Sequence, residues 1–73
     1  MQVTIKTPTD KLTVECETYA ITPVYINIWV KDFVEVSDIL EHSVCANIRV
    51  SVLNSNYNTW QLGFRSGDIK LEA

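Results

Sequence analysis

The sequence predicts an all-β fold, a small antiparallel barrel or sandwich of five to six short strands. Apolar and polar residues alternate in several short runs, of which VYINIWV at residues 24–30 is the clearest. Turn signals containing proline, glycine or asparagine separate these runs, and at most one short helical turn is expected, near residues 37–43. We favour the barrel, because closure hides the edge strands that so small a sheet would expose.

Length and composition indicate a single β domain that spans residues 1–73. A chain of this size buries only about 60% of its unfolded surface. With 47% hydrophobic residues it is globular rather than disordered, but its core is small. We therefore expect a homo-oligomer, since self-association would bury more apolar surface.

The charge pattern favours a protein partner. Six Lys and Arg and nine Asp and Glu are spread along the chain, with a net charge of −3. Non-specific binding to nucleic acid or to an anionic membrane needs clustered cations, which are missing. The sequence shows no apolar signal segment and no run near the ~20 apolar residues that span a bilayer, and its two cysteines are too few for a disulfide framework. We expect free thiols, a cytoplasmic location and no membrane contact.

The first predicted element is a hairpin over residues 3–17, with its turn at residues 8–11. In the predicted register, apolar residues meet on one side: Ile5 faces Val14, and Val3 faces Cys16. A slip of one residue would destroy this match, because it would turn every side chain to the other face.

The middle of the chain is harder to interpret. Pro23 lacks the N–H that a strand ladder needs, so it separates the hairpin from VYINIWV, the next predicted strand. The FVEV run at residues 33–36 fits a bulged continuation or a short fourth strand. Ser37 or Asp38 could cap a helical turn over residues 37–43.

The C-terminal third predicts a three-stranded meander with loops at residues 54–56 and at Ser66-Gly67. The predicted registers place apolar residues opposite one another: Ala46 and Phe64, Ile48 and Leu62, Val50 and Trp60, Phe64 and Ile69, Leu62 and Leu71. The opposite, solvated side collects the polar and small residues: Cys45, Asn47, Arg49, Ser51, Thr59, Gln61, Gly63, Arg65, Asp68, Lys70 and Glu72. There Arg65 lies across from Asp68.

We considered metal and catalytic sites, and the sequence favours neither. His42, Cys45 and Cys16 lack the paired spacing of a zinc site, and a pair of His42 with Cys45 would require the helix to continue into the next strand. We interpret Glu15 and Glu17 as solvated charges on a strand, since so small a domain offers little cleft for a pair of catalytic carboxylates. With only two glycines no phosphate loop forms. We therefore expect no enzyme activity, no cofactor and no metal.

The candidate site is an aromatic patch on the VYINIWV strand. Tyr25, Asn27 and Trp29 point away from the aliphatic face, and Lys31 and Phe33 follow in line. Tyr25 and Trp29 are about 13 Å apart at ~3.3 Å per residue.

Three explanations of this patch remain open. The segment over residues 37–43 or another connection could pack over it, with Ile39 and Leu40 as the covering side chains. It could be a protein interface, hetero or homo, because Tyr and Trp bury much area with few rotatable bonds. It could also be a stacking platform for single-stranded nucleic acid, with Lys31, Arg49 and Arg65 on phosphates.

The sequence therefore predicts a small non-enzymatic interaction or accessory module that binds a larger protein or itself through this patch. The alternative is a β-barrel that binds single-stranded nucleic acid. Accessory chains of this kind are common in phage genomes, which suggests a viral origin by association only.

Overall fold

Eight elements make up the part of the chain that the structure describes. The computed structural model describes residues 1–42, 45–53 and 57–73, and for residues 51–53, 57 and 58 it defines the backbone alone. The elements are β1 (Gln2–Lys6), β2 (Lys11–Glu15), β3 (Thr18–Ile21), β4 (Tyr25–Val30), α1 (Phe33–His42), β5 (Asn47–Leu53), β6 (Tyr57–Arg65) and β7 (Lys70–Glu72). Within these residues no helix is long and apolar enough to cross a membrane.

The strands form two antiparallel sheets that pack as a sandwich. One sheet has three strands in the order β2-β1-β7, and the other has four in the order β3-β4-β6-β5. The predicted all-β class is confirmed. The preferred barrel is wrong, because β7 pairs with β1 and leaves β6 in the other sheet, so that two open sheets form instead of one closed one. The described strands also number seven, not five or six.

The β1–β2 hairpin forms, but its register differs by two residues from the predicted one. Ile5 pairs with Leu12 and Val3 with Val14. The turn begins at Thr7, whose N–H donates to the Asp10 carbonyl (2.9 Å) and whose Oγ1 accepts the Asp10 N–H (2.9 Å). A shift of two leaves every side chain on its predicted face, so the predicted core residues of the hairpin are still buried.

A short strand, β3, precedes the proline and was not predicted. Its four residues show little alternation, since Ala20 and Ile21 are both exposed. Thr22 makes the turn into β4: its Oγ1 accepts the Tyr25 N–H (2.8 Å), and its own N–H donates to the Tyr25 carbonyl (2.8 Å). This turn makes β3 an edge strand beside β4.

Helix α1 is longer than the predicted turn and begins at Phe33, so the strand expected over residues 33–36 is wrong. The cap is Asp32, whose Oδ1 accepts the Val34 N–H (2.8 Å). Val36 and Ile39, three residues apart on one helix face, are fully buried against the sandwich. The local N-cap and this spacing together outweigh the β propensity of the valines.

The β5–β6 register agrees with the prediction, since Ile48 pairs with Leu62 and Val50 with Trp60. The predicted loop at residues 54–56 lies outside the described residues. The predicted β6–β7 hairpin is wrong: Leu71 pairs with Ile5 of β1, and Arg65 and Asp68 share a tight turn, with the Asp68 N–H donating to the Arg65 carbonyl (2.9 Å). The alternation of residues in β7 determines which of its side chains point inward, but it does not determine which sheet the strand joins.

The core lies between the two sheets, and α1 packs on β2 and β4. The buried residues from both sheets and the helix form one cluster: Val3, Ile5, Val14, Cys16, Ile26, Ile28, Val30, Val36, Ile39, Leu62, Phe64, Ile69 and Leu71. The opposite side of the four-stranded sheet therefore faces away from the core.

Candidate protein-interaction surface

The predicted patch lies on the side of the four-stranded sheet that faces away from the core, which we call the outer face. On β4, Tyr25, Asn27 and Trp29 alternate with the buried Ile26 and Ile28, and all three are half-buried. They keep this orientation because β4 is held on both sides, by β3 and by β6. The structure thus brings three of the five predicted site residues together.

Helix α1 does not cover this face. Ile39, one of the two residues expected to cover the aromatics, belongs to the core cluster with Ile28 and Val30, on the opposite side of the sheet. Leu40, the other, is 48% exposed. Of the three explanations of the patch, cover by this helix is therefore wrong.

A chain of polar side chains crosses the outer face over three strands. The Arg49 Nε–H of β5 donates to Gln61 Oε1 (3.1 Å), and Gln61 Nε2 donates to Asn27 Oδ1 (3.4 Å). Gln61 lies between Trp29 and Arg49 in the sheet register and is only 9% exposed. These bonds satisfy the buried amide and hold the Arg49 side chain against the sheet.

The outer face contains an open depression, and Gly63 lies in the sheet between two of the residues that line it. This glycine lies between Asn27 and Asn47 in the register, and a Cβ built on it would be 2.6 Å from Asn47 Oδ1. A glycine inside a strand marks such a close approach. The open hollow has a volume of about 540 Å³. Its lining consists of Tyr25, Asn27, Asn47, Ile48, Arg49 and Gln61.

The outer face is positive although the chain is negative. Both arginines of the sequence lie on it: Arg49 pairs with Gln61 in the register and Arg65 with Tyr25. No strand residue of this face is acidic, and within the described residues neither arginine forms a salt bridge. The two guanidinium groups therefore face no carboxylate of their own chain.

Lys31 and Phe33, the other two predicted site residues, lie elsewhere. Lys31 lines a different depression, together with Glu15, Glu17, Asp32, Glu35 and Cys16. The Phe33 ring packs edge-on against Trp60, with centroids 5.7 Å apart and planes at 60°. Trp60, predicted to be core, points inward but is only partly buried. Next to it on β5, Ile48 and Val50 are 39% and 57% exposed.

The potentially reactive side chains considered above, His42, Cys16 and Cys45, each have their own local contacts. His42 Nδ1 is 2.9 Å from the Asp38 carbonyl oxygen, and this hydrogen bond raises the pKa of His42. Cys45, expected on the solvated side, packs partly against the core, and its thiol donates to the Asn47 carbonyl (2.9 Å). Burial raises the pKa of both Cys16 and Cys45, which keeps them as thiols, and the two are not disulfide-bonded.

Sequence reasoning identified the aromatics and, in the nucleic-acid explanation, Arg49 and Arg65, but it missed three other residues of the site. Asn47, Gln61 and Gly63 were placed only on one side of the meander, since nothing in the sequence indicated that β6 pairs with β4. The available signal was Gly63, since a glycine in the middle of an alternating strand indicates a close approach or a bulge.

Comparisons of this chain with protein-family models, with curated proteins and with solved structures found no match.

Proposed function

We propose that this chain is a small non-enzymatic interaction module that binds a larger protein through the outer face of the four-stranded sheet. The observation that carries the proposal is the pair of half-buried aromatics, Tyr25 and Trp29, on a sheet face that helix α1 does not cover. Tyr and Trp are the residues most enriched in the energetic centres of interfaces. A chain that needed this face only for solubility would be expected to carry charged or hydroxyl side chains there.

Rigidity supports the same proposal. Tyr25 and Trp29 both lie on β4, an inner strand with neighbours on both sides, and Gln61 is fixed between Trp29 and Arg49. Side chains that are already ordered lose less entropy when a partner binds. A face of this kind can therefore contribute affinity from a small area.

Site-specific photo-crosslinking tests the proposal. Ala20 lies exposed on the outer face beside Asn27, and Thr13 lies exposed on the far side of the three-stranded sheet, which makes it the matched control. A photoreactive residue at position 20 is expected to give a defined protein adduct in extracts of the source cell. Position 13 should not give it, and Trp29→Ala should remove it while Trp29→Phe retains it.

Identical adducts from both positions, or adducts at position 20 that persist in a folded Trp29→Ala variant, would contradict the proposal. Circular dichroism of each variant separates loss of binding from loss of fold.

Single-strand nucleic-acid binding is the alternative, and one observation favours it. The two arginines lie on the same face as Tyr25 and Trp29, the combination of cations and stacking surfaces that such proteins use. Titration of a Trp60→Phe variant with oligo-dT, followed by Trp29 fluorescence at several salt concentrations, tests it. Quenching that weakens steeply with salt would support this alternative, and no quenching at low salt would exclude it.

We also expect the chain to self-associate and to act in the cytoplasm. Two features of β5 support self-association. Its Ile48 and Val50 side chains are exposed. It is also an edge strand, whose free backbone groups can pair with another strand. Sedimentation equilibrium measures it directly: a single species of 8.3 kDa at high concentration would contradict it.

A further inference from the structure

We infer that the depression of the outer face, lined by Asn47, Arg49 and Gln61, binds an acidic side chain, an Asp or Glu, of the protein partner, with Arg49 as its charged ligand. This inference rests on the proposed function, because it names the chemistry that the partner presents to the same face. The depression already contains the two elements that a carboxylate site needs, a guanidinium group and neighbouring amide groups.

The charges around the depression carry the inference. Arg49 lines the hollow, Arg65 lies on the same face, and neither pairs with a carboxylate of this chain within the described residues. By contrast, four acids, namely Glu15, Glu17, Asp32 and Glu35, surround the other depression. An acidic group on the partner therefore meets opposite charge at the outer face and like charge at the other depression.

Arg49 is held in place before any partner binds. Its Nε–H is used by Gln61, which is itself tied to Asn27 and almost fully buried. Ordering an arginine side chain costs conformational entropy. Because of these two bonds, part of that entropy is already lost in the free protein. The amide groups of Asn47 and Gln61 line the same hollow and can complete the carboxylate's hydrogen bonds.

The absence of a side chain at Gly63 leaves room for the amide group of Asn47, which lies over the glycine and lines the hollow. Any Cβ at this position would force Asn47 to move, since its Oδ1 lies 2.6 Å from where that Cβ would be. Asn47 is exposed and can rotate away, so Gly63→Ala is expected to keep the fold while it moves one amide group of the site.

A single carboxylate fits this surface better than a phosphate chain does. Binding along a nucleic-acid strand draws its strength from many cations that displace counterions. Here two arginines are the charges of the outer face in a chain of net charge −3, whereas one partner carboxylate needs only one well-placed guanidinium group.

NMR titration of the full chain tests the inference without knowledge of the partner. The probes are a capped Gly-Ser peptide with one central glutamate, the same peptide with glutamine, and oligo-dT. The glutamate peptide is expected to shift the Arg49 Nε–H and the side-chain amide signals of Asn47 and Gln61 at millimolar concentration. The glutamine peptide should not shift them.

Three variants sharpen the test. Arg49→Gln is expected to weaken glutamate-peptide binding by about tenfold or more, the loss typical of one partner of a charged pair. Gly63→Ala should weaken it less, and Lys11→Gln, which makes the same charge change on the three-stranded sheet, should leave it unchanged.

Equal shifts from the two peptides, no shift at Arg49, or a shift at Arg49 that only oligo-dT produces would each overturn the inference. The proposed function would fail differently, through loss of the Trp29-dependent adduct at position 20. If that adduct persists in Arg49→Gln at wild-type yield, the protein interface stands and the carboxylate site does not.

Discussion

The outer faces of the two sheets differ, although both sheets bury aliphatic residues on the inside. On the three-stranded sheet, Thr4 and Thr13 pair through their hydroxyl groups (3.2 Å), and Lys6 Nζ forms a salt bridge with Glu72 (3.1 Å). On the four-stranded sheet, Trp29 and Arg49 flank the nearly buried Gln61. The first face pairs Lys6 and Lys70 with Glu72, whereas on the second neither arginine forms a salt bridge within the described residues.

This difference separates a solvated face from one suited to a partner. The Lys6 and Glu72 side chains are 42% and 43% exposed and gain little from each other, as exposed ion pairs usually do. The outer face of the four-stranded sheet instead combines ordered amides, aromatic area and two arginines that have no salt bridge in the described part of the chain. Aromatic residues and arginine are enriched in interfaces. Matched substitutions on the two faces test this difference.

The largest difference is expected between Trp29→Ala and Thr13→Ala. Trp29 is half-buried, so its truncation should cost about 2 kcal/mol of unfolding free energy, roughly half the loss for a fully buried tryptophan. Thr13 is exposed, and its loss should cost less than about 0.5 kcal/mol. Urea denaturation of both variants measures these costs. If they are equal, Trp29 does not pack on the sheet in the free protein.

A smaller difference is expected between Gln61→Ala and Thr4→Ala. Removing the Gln61 amide leaves Arg49 Nε and Asn27 Oδ1 without their partner, which should cost about 1 to 2 kcal/mol. Thr4 loses one exposed hydroxyl contact, worth about 0.5 kcal/mol or less. Chemical denaturation, with the Arg49 Nε–H signal as a second readout, tests this. An unchanged Arg49 signal in Gln61→Ala would show that the hydrogen bond does not order the arginine.

The sequence predicted the faces of the strands better than their neighbours. Alternation placed Val3, Val14, Ile28, Leu62 and Leu71 inside correctly, because a period of two fixes the side on which a residue points. It cannot fix pairing, since a shift of two residues in the hairpin or a different partner for β7 buries the same side chains. The sheets and the hairpin register therefore required the three-dimensional structure.

For the candidate site, too, the sequence predicted which side chains share a face but not which strands lie beside them. Tyr25, Asn27 and Trp29 share a face by alternation alone, whereas Phe33 turned away because Asp32 caps a helix directly after β4. The signal for that helix was present in the spacing of Asp32 and Glu35, which resembles a capping box, but the valines between and after them favoured a strand. Gln61 and Arg49 joined the site through strand pairing, which local pattern does not specify.

The smallest expected effect is the pH dependence of the Lys6–Glu72 pair on the three-stranded sheet. The Lys6 ammonium lowers the pKa of Glu72 below its usual value of 4.5. Because the folded-state pKa is lowered, the stabilisation is present above the unfolded-state value and is lost as pH falls through the folded-state value. The difference in urea midpoint between wild type and Glu72→Gln should therefore shrink from pH 6 to pH 3. For Arg49→Gln the corresponding difference should stay constant over this range, because among the residues that the structure describes no carboxylate forms a salt bridge with that arginine. A pH-dependent difference for Arg49→Gln would mean that a carboxylate already reaches the outer face, and the contrast between the two faces would fail.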